Sequence, residues 1–298
     1  MSLETLEREG LVQSDYPLAG TTTYKFGGSA AWYAEVANRD ELSRVVSATK
    51  LPCLVIGRGS NIVISDAGYC GLVVRLVGEF NDVTVVDGVA SAGAGVALPR
   101  LARSCAAADR GGLEFYVGIP GSVGGAVVMN AGGHGSDTAE WLIEAVILDL
   151  LTGEVTHEDT GDLELGYRHS RLQSNHIVLS ARFRTIARPK EEAEALMREI
   201  TAWRKQYQPG GTLNAGSVFK NPPGDAAGRI IDELGLKGLR VGGVAVSDRH
   251  ANFFVADANA CAQDVFDLVH RVQHVVAERA GIVLEPEVRF VGDFGVSS

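Results

Sequence analysis

Cysteine is scarce in this chain. Only Cys53, Cys70, Cys105 and Cys261 occur among 298 residues, and no two form a CxxC pair or a zinc-like spacing. A disulfide scaffold and a structural zinc site are therefore both excluded. Apolar neighbours at all four predict buried free thiols, and a cytoplasmic protein without structural disulfides is expected. Positive charge is also short: 27 Lys and Arg face 37 Asp and Glu, a net charge of −10. That balance argues against nucleic acid or an anionic membrane as the main partner. A small anionic ligand needs only a local basic or N–H-rich site, so it stays open. No apolar run reaches the ~20 residues of a membrane span. The best stretch, Trp141 to Leu151, is short and contains Glu144 and Asp149. The opening residues, MSLETLEREGLVQSDYPLAG, are too charged for a secretory signal.

Several well-known signatures are missing too. There is no GK[ST] of a phosphate-binding P-loop, no GxGxxG of a Rossmann turn and no GxSxG nucleophile elbow. His270 and His274 stand four apart, but Arg-Val-Gln lies between them and no HExxH glutamate is present, so a metal is not expected. No internal repeat and no low-complexity tract occurs.

Glycine, by contrast, is plentiful, with 36 residues. After an N-terminal helix and connector over residues 1–20, the pattern from Thr21 is strand-like. Residues 39–49 read as a helix with Leu42, Val45 and Val46 on one face. LPCLVIG is a short buried strand, and two β-rich runs follow, separated by a turn at Ala67-Gly68. VTVVDGVASAGAG reads as a hairpin turning at Asp87-Gly88. ALPRLARSCAAADRGG is a helix closed by glycines. Residues 142–156 are β-rich, IVLSARFRTI is another strand, and 189–207 is a charged amphipathic helix whose opening proline suggests a boundary. The remainder is a compact α+β unit with helices at AAGRIIDELGL and about 261–280, and a last strand in IVLEPEVRFVG.

Two glycine loops stand out. Gly57-Arg58-Gly59-Ser60-Asn61 follows a buried strand, and unhindered N–H groups at such a turn make an anion nest. Gly118-Ile119-Pro120-Gly121-Ser122-Val123-Gly124-Gly125 adds further donors and a hydroxyl. One loop alone would fit a tight turn; two in one β-rich region suit an extended dinucleotide. Ser217, in NAGSVFKNP, fits a structural serine as well as a proton donor facing a developing carbanion. Glu287 and Arg289 would share one face of an alternating strand, which also describes an ordinary solvated face. Arg168 can hold a carboxylate bidentately, or form a surface ion pair.

Taken together, GRGSNIVISDAGYCGLVVRL, GLEFYVGIPGSVGGAVVMNAGGHG, GYRHS, NAGSVFKNP, GLKGLRVGGVAVSDRHANFF and LEPEVRFVG resemble the UDP-N-acetylmuramate dehydrogenases, also called UDP-N-acetylenolpyruvoylglucosamine reductases. The resemblance runs from about Thr21 to Gly292. It implies an α+β chain with a vanillyl-alcohol-oxidase/p-cresol-methylhydroxylase-type FAD-binding domain of two α+β subdomains and a C-terminal α+β substrate-binding domain. The segments expected are 1–20, then 21–188 (subdomains about 21–77 and 78–188), then 189–298. The short C-terminal part looks like the family type without a tyrosine-bearing insertion. Implied cofactors are FAD, with NADPH as reductant; the implied partner is a UDP-sugar, acted on by a cytoplasmic monomer in peptidoglycan precursor synthesis. By the same resemblance Ser217 is the proton donor, and Arg168 and Glu287 complete the catalytic set. Gly57, Arg58, Gly59, Ser60, Asn61, Gly118, Ile119, Pro120, Gly121, Ser122, Gly124, Gly125, Asn130 and Ala131 would hold FAD, and Tyr167, Lys205 and Asn221 the substrate. Arg58 stands where the family more often has glycine. Rival readings are a flavin oxidase or dehydrogenase acting on another small molecule, and a non-catalytic flavin sensor.

Overall fold

The computed structural model describes residues 2–295; Met1 of the expected N-terminal segment and residues 296–298 of the expected C-terminal one lie outside them. The chain forms two compact units, and neither is continuous in sequence. The first comprises Met1–Ser14, Trp32–Arg58 and Gly71–Trp203; the second comprises Asp15–Ala31, Gly59–Cys70 and Arg204–Ser298.

The first unit is built on a five-stranded antiparallel sheet ordered Val155–Glu158, Leu142–Asp149, His176–Arg184, Val89–Gly93, Val83–Val86. The central strand His176–Arg184 buries Ile177, Val178, Leu179, Ala181 and Phe183. Asp87 and Gly88 both take positive φ, +50° and +81°, the type I′ geometry that matches strand twist. A parallel pair, Cys53–Val55 on Leu72–Val74, lies in a second, four-stranded sheet. The expected face of helix Arg39–Ser47 buries Leu42 and Val45. Helix Leu98–Ala107 buries Leu98, Leu101, Ala102 and Cys105.

In several places the chain departs from the pattern reading. The strand expected from Thr21 begins only at Ser29, because residues 19–21 form a 3₁₀ turn. Helix Leu98–Ala107 is not closed by glycine: Asp109 takes the left-handed turn at φ +54°. Inside the glycine-rich stretch a short helix, Val123–Met129, forms around the run Ala126-Val127-Val128. The last strand covers only Arg289–Val291, so Glu287 precedes it. The thiols also divide. Cys105 is buried, Cys53 and Cys261 are half-buried, but Cys70 is exposed, at the second position of its strand, before the run Gly71–Val74 that is buried.

The second unit has its own core, with Tyr24, Val63, Phe219, Phe254, Leu268 and Val272 buried together. The three-stranded sheet Arg240–Val241, Val244–Val246, Phe254–Ala256 packs with helix Ala262–Ala280. Ile62–Ile64 pairs in parallel with Arg289–Val291. The Asp66 carboxylate accepts from the N–H groups of Ala262 and Gln263, both at 3.1 Å. It thereby caps the long helix from a distant part of the chain and complements its positive end. The Tyr24 hydroxyl donates to Phe254 O at 3.0 Å, and burial pushes its phenol well above the ordinary range.

Two outcomes follow. Asp66→Ala should lower unfolding free energy by about 1–2 kcal/mol, read as an earlier urea midpoint with unchanged slope. Burial pushes the Cys53 and Cys105 thiols up to about 12 and raises that of Cys261 as well. A disulfide reagent at pH 8 should therefore titrate one fast thiol in the native protein, and Cys70→Ser should remove it.

Candidate active site

The loop 57–61 leaves strand Cys53–Val55 and turns through Gly59 at φ +60°. None of its five backbone N–H groups, from Gly57 to Asn61, donates to another of the described residues. Successive free donors in such a turn converge on an anion. Two of its glycines are sterically required. A Cβ on Gly57 would run into the Ser122 hydroxyl; one on Gly59 would press on Thr22 Cα at 2.7 Å in a backbone region that L-residues avoid. Arg58 is exposed on this loop.

The second glycine loop supplies fewer free donors than its composition suggests. Ile119 N–H donates to Tyr116 O, Gly121 N–H to Ile119 O, Val123 N–H to Val96 O and Gly124 N–H to Ala94 O. Ser122 caps helix Val123–Met129 by accepting from Gly125 N–H. Here glycine serves close packing more than ligand donation. At Gly124 a Cβ would lie 3.1 Å from Ala94 Cβ.

That helix ends at Asn130, buried and left-handed at φ +40°. The Asn130 side chain accepts from Ala139 N–H and donates to Gly166 O at 2.8 Å. Gly166 and His169 exchange backbone hydrogen bonds, which makes Tyr167 and Arg168 the tip of a tight turn. Arg168 adopts φ +52° and donates to Gly132 O at 2.8 Å. Its guanidinium lies 5.2 Å from the centroid of the exposed Tyr167 ring. Ala131 follows the same cap.

In the second unit, Ser217 and Glu287 come together through one residue between them. Val218 N–H donates to Asn252 O, and Val218 O accepts from Glu287 N–H at 2.7 Å. Ser217 bridges Phe253 on one side, and Phe219 bridges Pro286 on the other. Both Ser217 and Glu287 are half-buried. None of the described residues bonds the Ser217 hydroxyl. Asn61 Nδ2 donates to Glu287 O at 3.0 Å. Asn221 Oδ1 accepts from Ala227 N–H, at the start of helix Ala227–Glu233. Lys205 is exposed near the end of helix Lys190–Tyr207. Among the described residues no cluster of three or more metal-ligating side chains occurs.

One residue lies in the string GLKGLRVGGVAVSDRHANFF, yet its role had no signal in the sequence. Asn252 is 3% exposed. It receives Phe219 N–H on its Oδ1 at 2.9 Å and donates from Nδ2 to Phe219 O at 2.8 Å. Only the folded pairing reveals that its amide completes the backbone bonding of the segment carrying Ser217.

Known proteins are similar to this chain along nearly its whole length. The UDP-N-acetylenolpyruvoylglucosamine reductase of Synechococcus sp. (strain RCC307) is 46% identical, covering 96% of each chain. The chain belongs to the UDP-N-acetylenolpyruvoylglucosamine reductase family. The family member from Agathobacter rectalis is 41% identical over 98% of this chain and 97% of its own. The crystal structure of the family's reductase from Thermus caldophilus matches with a TM-score of 0.81 at 40% identity, covering 94% of this chain and 98% of that one. The pattern described as the reductase's C-terminal domain matches residues 208–291, and that of an FAD binding domain matches residues 30–158. The fold is thus α+β with an FAD-binding domain, and FAD is the family cofactor.

Gly57→Ala should fold yet retain FAD poorly, with at least tenfold weaker binding by fluorescence titration. Gly20→Ala, where a Cβ would meet no atom within 4 Å, should retain it.

Proposed function

We infer that this chain is the NADPH-dependent, FAD-containing reductase that converts UDP-N-acetylenolpyruvoylglucosamine to UDP-N-acetylmuramate for peptidoglycan precursors. The observation that carries the reading is near-full-length identity above 40% to reductases of that name.

The chain's own groups suit FAD. The five unengaged N–H groups of residues 57–61 match the oxygens of a diphosphate, and the Gly57 approach to Ser122 leaves no side chain in the way. Gly118, Gly121, Gly124, Gly125, Ile119, Pro120, Asn130 and Ala131 would border the rest of the cofactor. Held there, FAD would supply the hydride chemistry that links NADPH to the vinyl carbon remote from the substrate carboxylate.

Negative charge then grows on the adjacent substrate carbon and its carboxylate. Arg168, held at the tip of its turn by Gly132 O, supplies fixed positive charge for that carboxylate. Glu287 helps only when protonated, because a bare carboxylate would repel the growing charge. Ser217 carries a hydroxyl that no described residue engages, and it donates the proton to the carbanionic carbon. A serine hydroxyl is a weak acid in water, so its contribution rests on placement. Tyr167, Lys205 and Asn221 are assigned to the UDP-sugar. Local basic groups, rather than the net charge of −10, attract this anionic substrate.

In domain terms, residues 21–188 bind FAD and 189–298 bind substrate, with residues 1–20 as a leading segment. No helix among the described residues is long and apolar enough to cross a membrane. Placement in the cytoplasm and action as a monomer belong to the same reading, and the monomer is checked by sedimentation.

The test is anaerobic. Flavin absorbance should bleach with NADPH and return on adding UDP-N-acetylenolpyruvoylglucosamine; recovery only in air would favour an oxidase, and protein that takes up no FAD would remove both. Ser217→Ala should leave bleaching by NADPH near wild type and slow recovery by substrate ~10²–10⁴-fold. Equal slowing of both steps would sink the proton-donor role.

A further inference from the structure

We propose that Asn252 is the positioning residue for the Ser217 hydroxyl, acting through the peptide groups of Val218 and Phe219. The inference rests on Ser217 being the proton donor. Residues 217–219 belong to no regular strand, yet Val218 and Phe219 are each 1% exposed. Buried peptide groups must be paired. Asn252 meets three of these needs from one position. Its backbone O takes Val218 N–H at 2.8 Å. Its amide takes Phe219 N–H and gives a hydrogen to Phe219 O, so the side chain imitates one rung of a β-ladder.

Asn252 is itself locked. Its N–H donates to His250 Nδ1 at 3.3 Å, and Phe253 N–H donates to His250 O. Phe253, the next residue, bridges Ser217 directly. The Val218 carbonyl on the opposite side takes Glu287 N–H. One buried amide therefore fixes the peptide planes that set where Ser217 and Glu287 stand relative to each other. Neither a hydrophobic residue nor a carboxylate can do this, because both donor and acceptor are needed in one plane. Displacements of about 1 Å at a reacting group commonly cost about 10²-fold in rate.

Asn252→Asp provides a reversible probe. The protonated acid keeps an acceptor for Phe219 N–H and an O–H donor for Phe219 O, so it matches the amide. Ionised, it loses the donor and faces the Phe219 carbonyl with negative charge. Burial raises the pKa of this carboxyl. The group is thus neutral at low pH and ionises as pH rises through the raised value. In Asn252→Asp holoenzyme, substrate-driven recovery of flavin absorbance should run near the wild-type rate at pH 5.5 and about 10²-fold slower at pH 8.5, each compared with wild type at the same pH. Bleaching by NADPH should stay near wild type at both. Hydrogen exchange at the Phe219 amide should quicken over the same pH range.

The double variant S217A/N252D at pH 8.5 should be no slower than Ser217→Ala alone, since a residue acting through another adds nothing once that one is gone. Additive losses would overturn the proposal. So would an Asn252→Asp recovery step that matches wild type at pH 8.5 while Ser217→Ala is slow. A fast Ser217→Ala would instead refute the proton-donor reading beneath it. If Asn252→Asp does not give folded holoenzyme, Asn252→Ser tests the same point. It keeps one hydrogen-bonding group of the two and should slow recovery about tenfold or more without slowing bleaching; no selective slowing would overturn the proposal.

Discussion

Buried peptide groups impose the constraint on which the second unit depends. Residues 217–219 pass through its core without belonging to a ladder, so each polar backbone atom there needs a partner from elsewhere in the chain. Asn252 and Glu287 provide them. An unpaired buried amide costs on the order of 1–3 kcal/mol, comparable to a sizeable share of a domain's net stability. Satisfying that need draws residues 217–219, 252–254 and 285–288 into one bundle of extended chain. The same pairing that lets this segment be buried also ties the backbone of Glu287 to the residue next to Ser217.

The first unit solves a related problem by turn chemistry. Helix Val123–Met129 is short, and its ends must be closed within a few residues. Ser122 closes one end, and Asn130 closes the other in a left-handed conformation. Asn130 then has amide hydrogens left over, and Gly166 receives one of them. The turn bearing Arg168 is in this way fastened to a helix cap. Positive φ at Arg168 is uncommon for a residue with a long side chain, and the exchange between Gly166 and His169 holds it there. Conformational cost of this kind is tolerated where surrounding bonds over-determine it.

Much of this was legible beforehand, and the reasons differ by element. The helices over Arg39–Ser47, Leu98–Ala107, Lys190–Tyr207 and Ala262–Ala280 declared themselves by apolar spacing, and the Asp87-Gly88 turn by its residue pair. The loop 57–61 stood out by its glycines, though the close approach of Ser122 to Gly57 and of Thr22 to Gly59 could not be read from them. The helix inside the second glycine loop was not, since glycine content argues against helix until Ser122 and Asn130 are seen to cap it. Ser217, Arg168 and Glu287 were singled out by motif, but no local pattern could say that Val218 would join Ser217 to Glu287. Asn252 and Asp66 lie within the family-like strings, but their roles had no local signal, because their partners lie 33 and 196 residues away.

The parallel pairing of Ile62–Ile64 with Arg289–Val291 has a consequence for synthesis. A ribosome adds about 5–20 residues per second, so the partner strand is made on the order of ten to fifty seconds after Ile62-Val63-Ile64. Throughout that interval an apolar strand edge waits without its mate, and such edges invite pairing with other chains. Nascent copies are most exposed to misassembly at this point. A chaperone that shields the first seventy or so residues until the last strand arrives would protect the whole second unit.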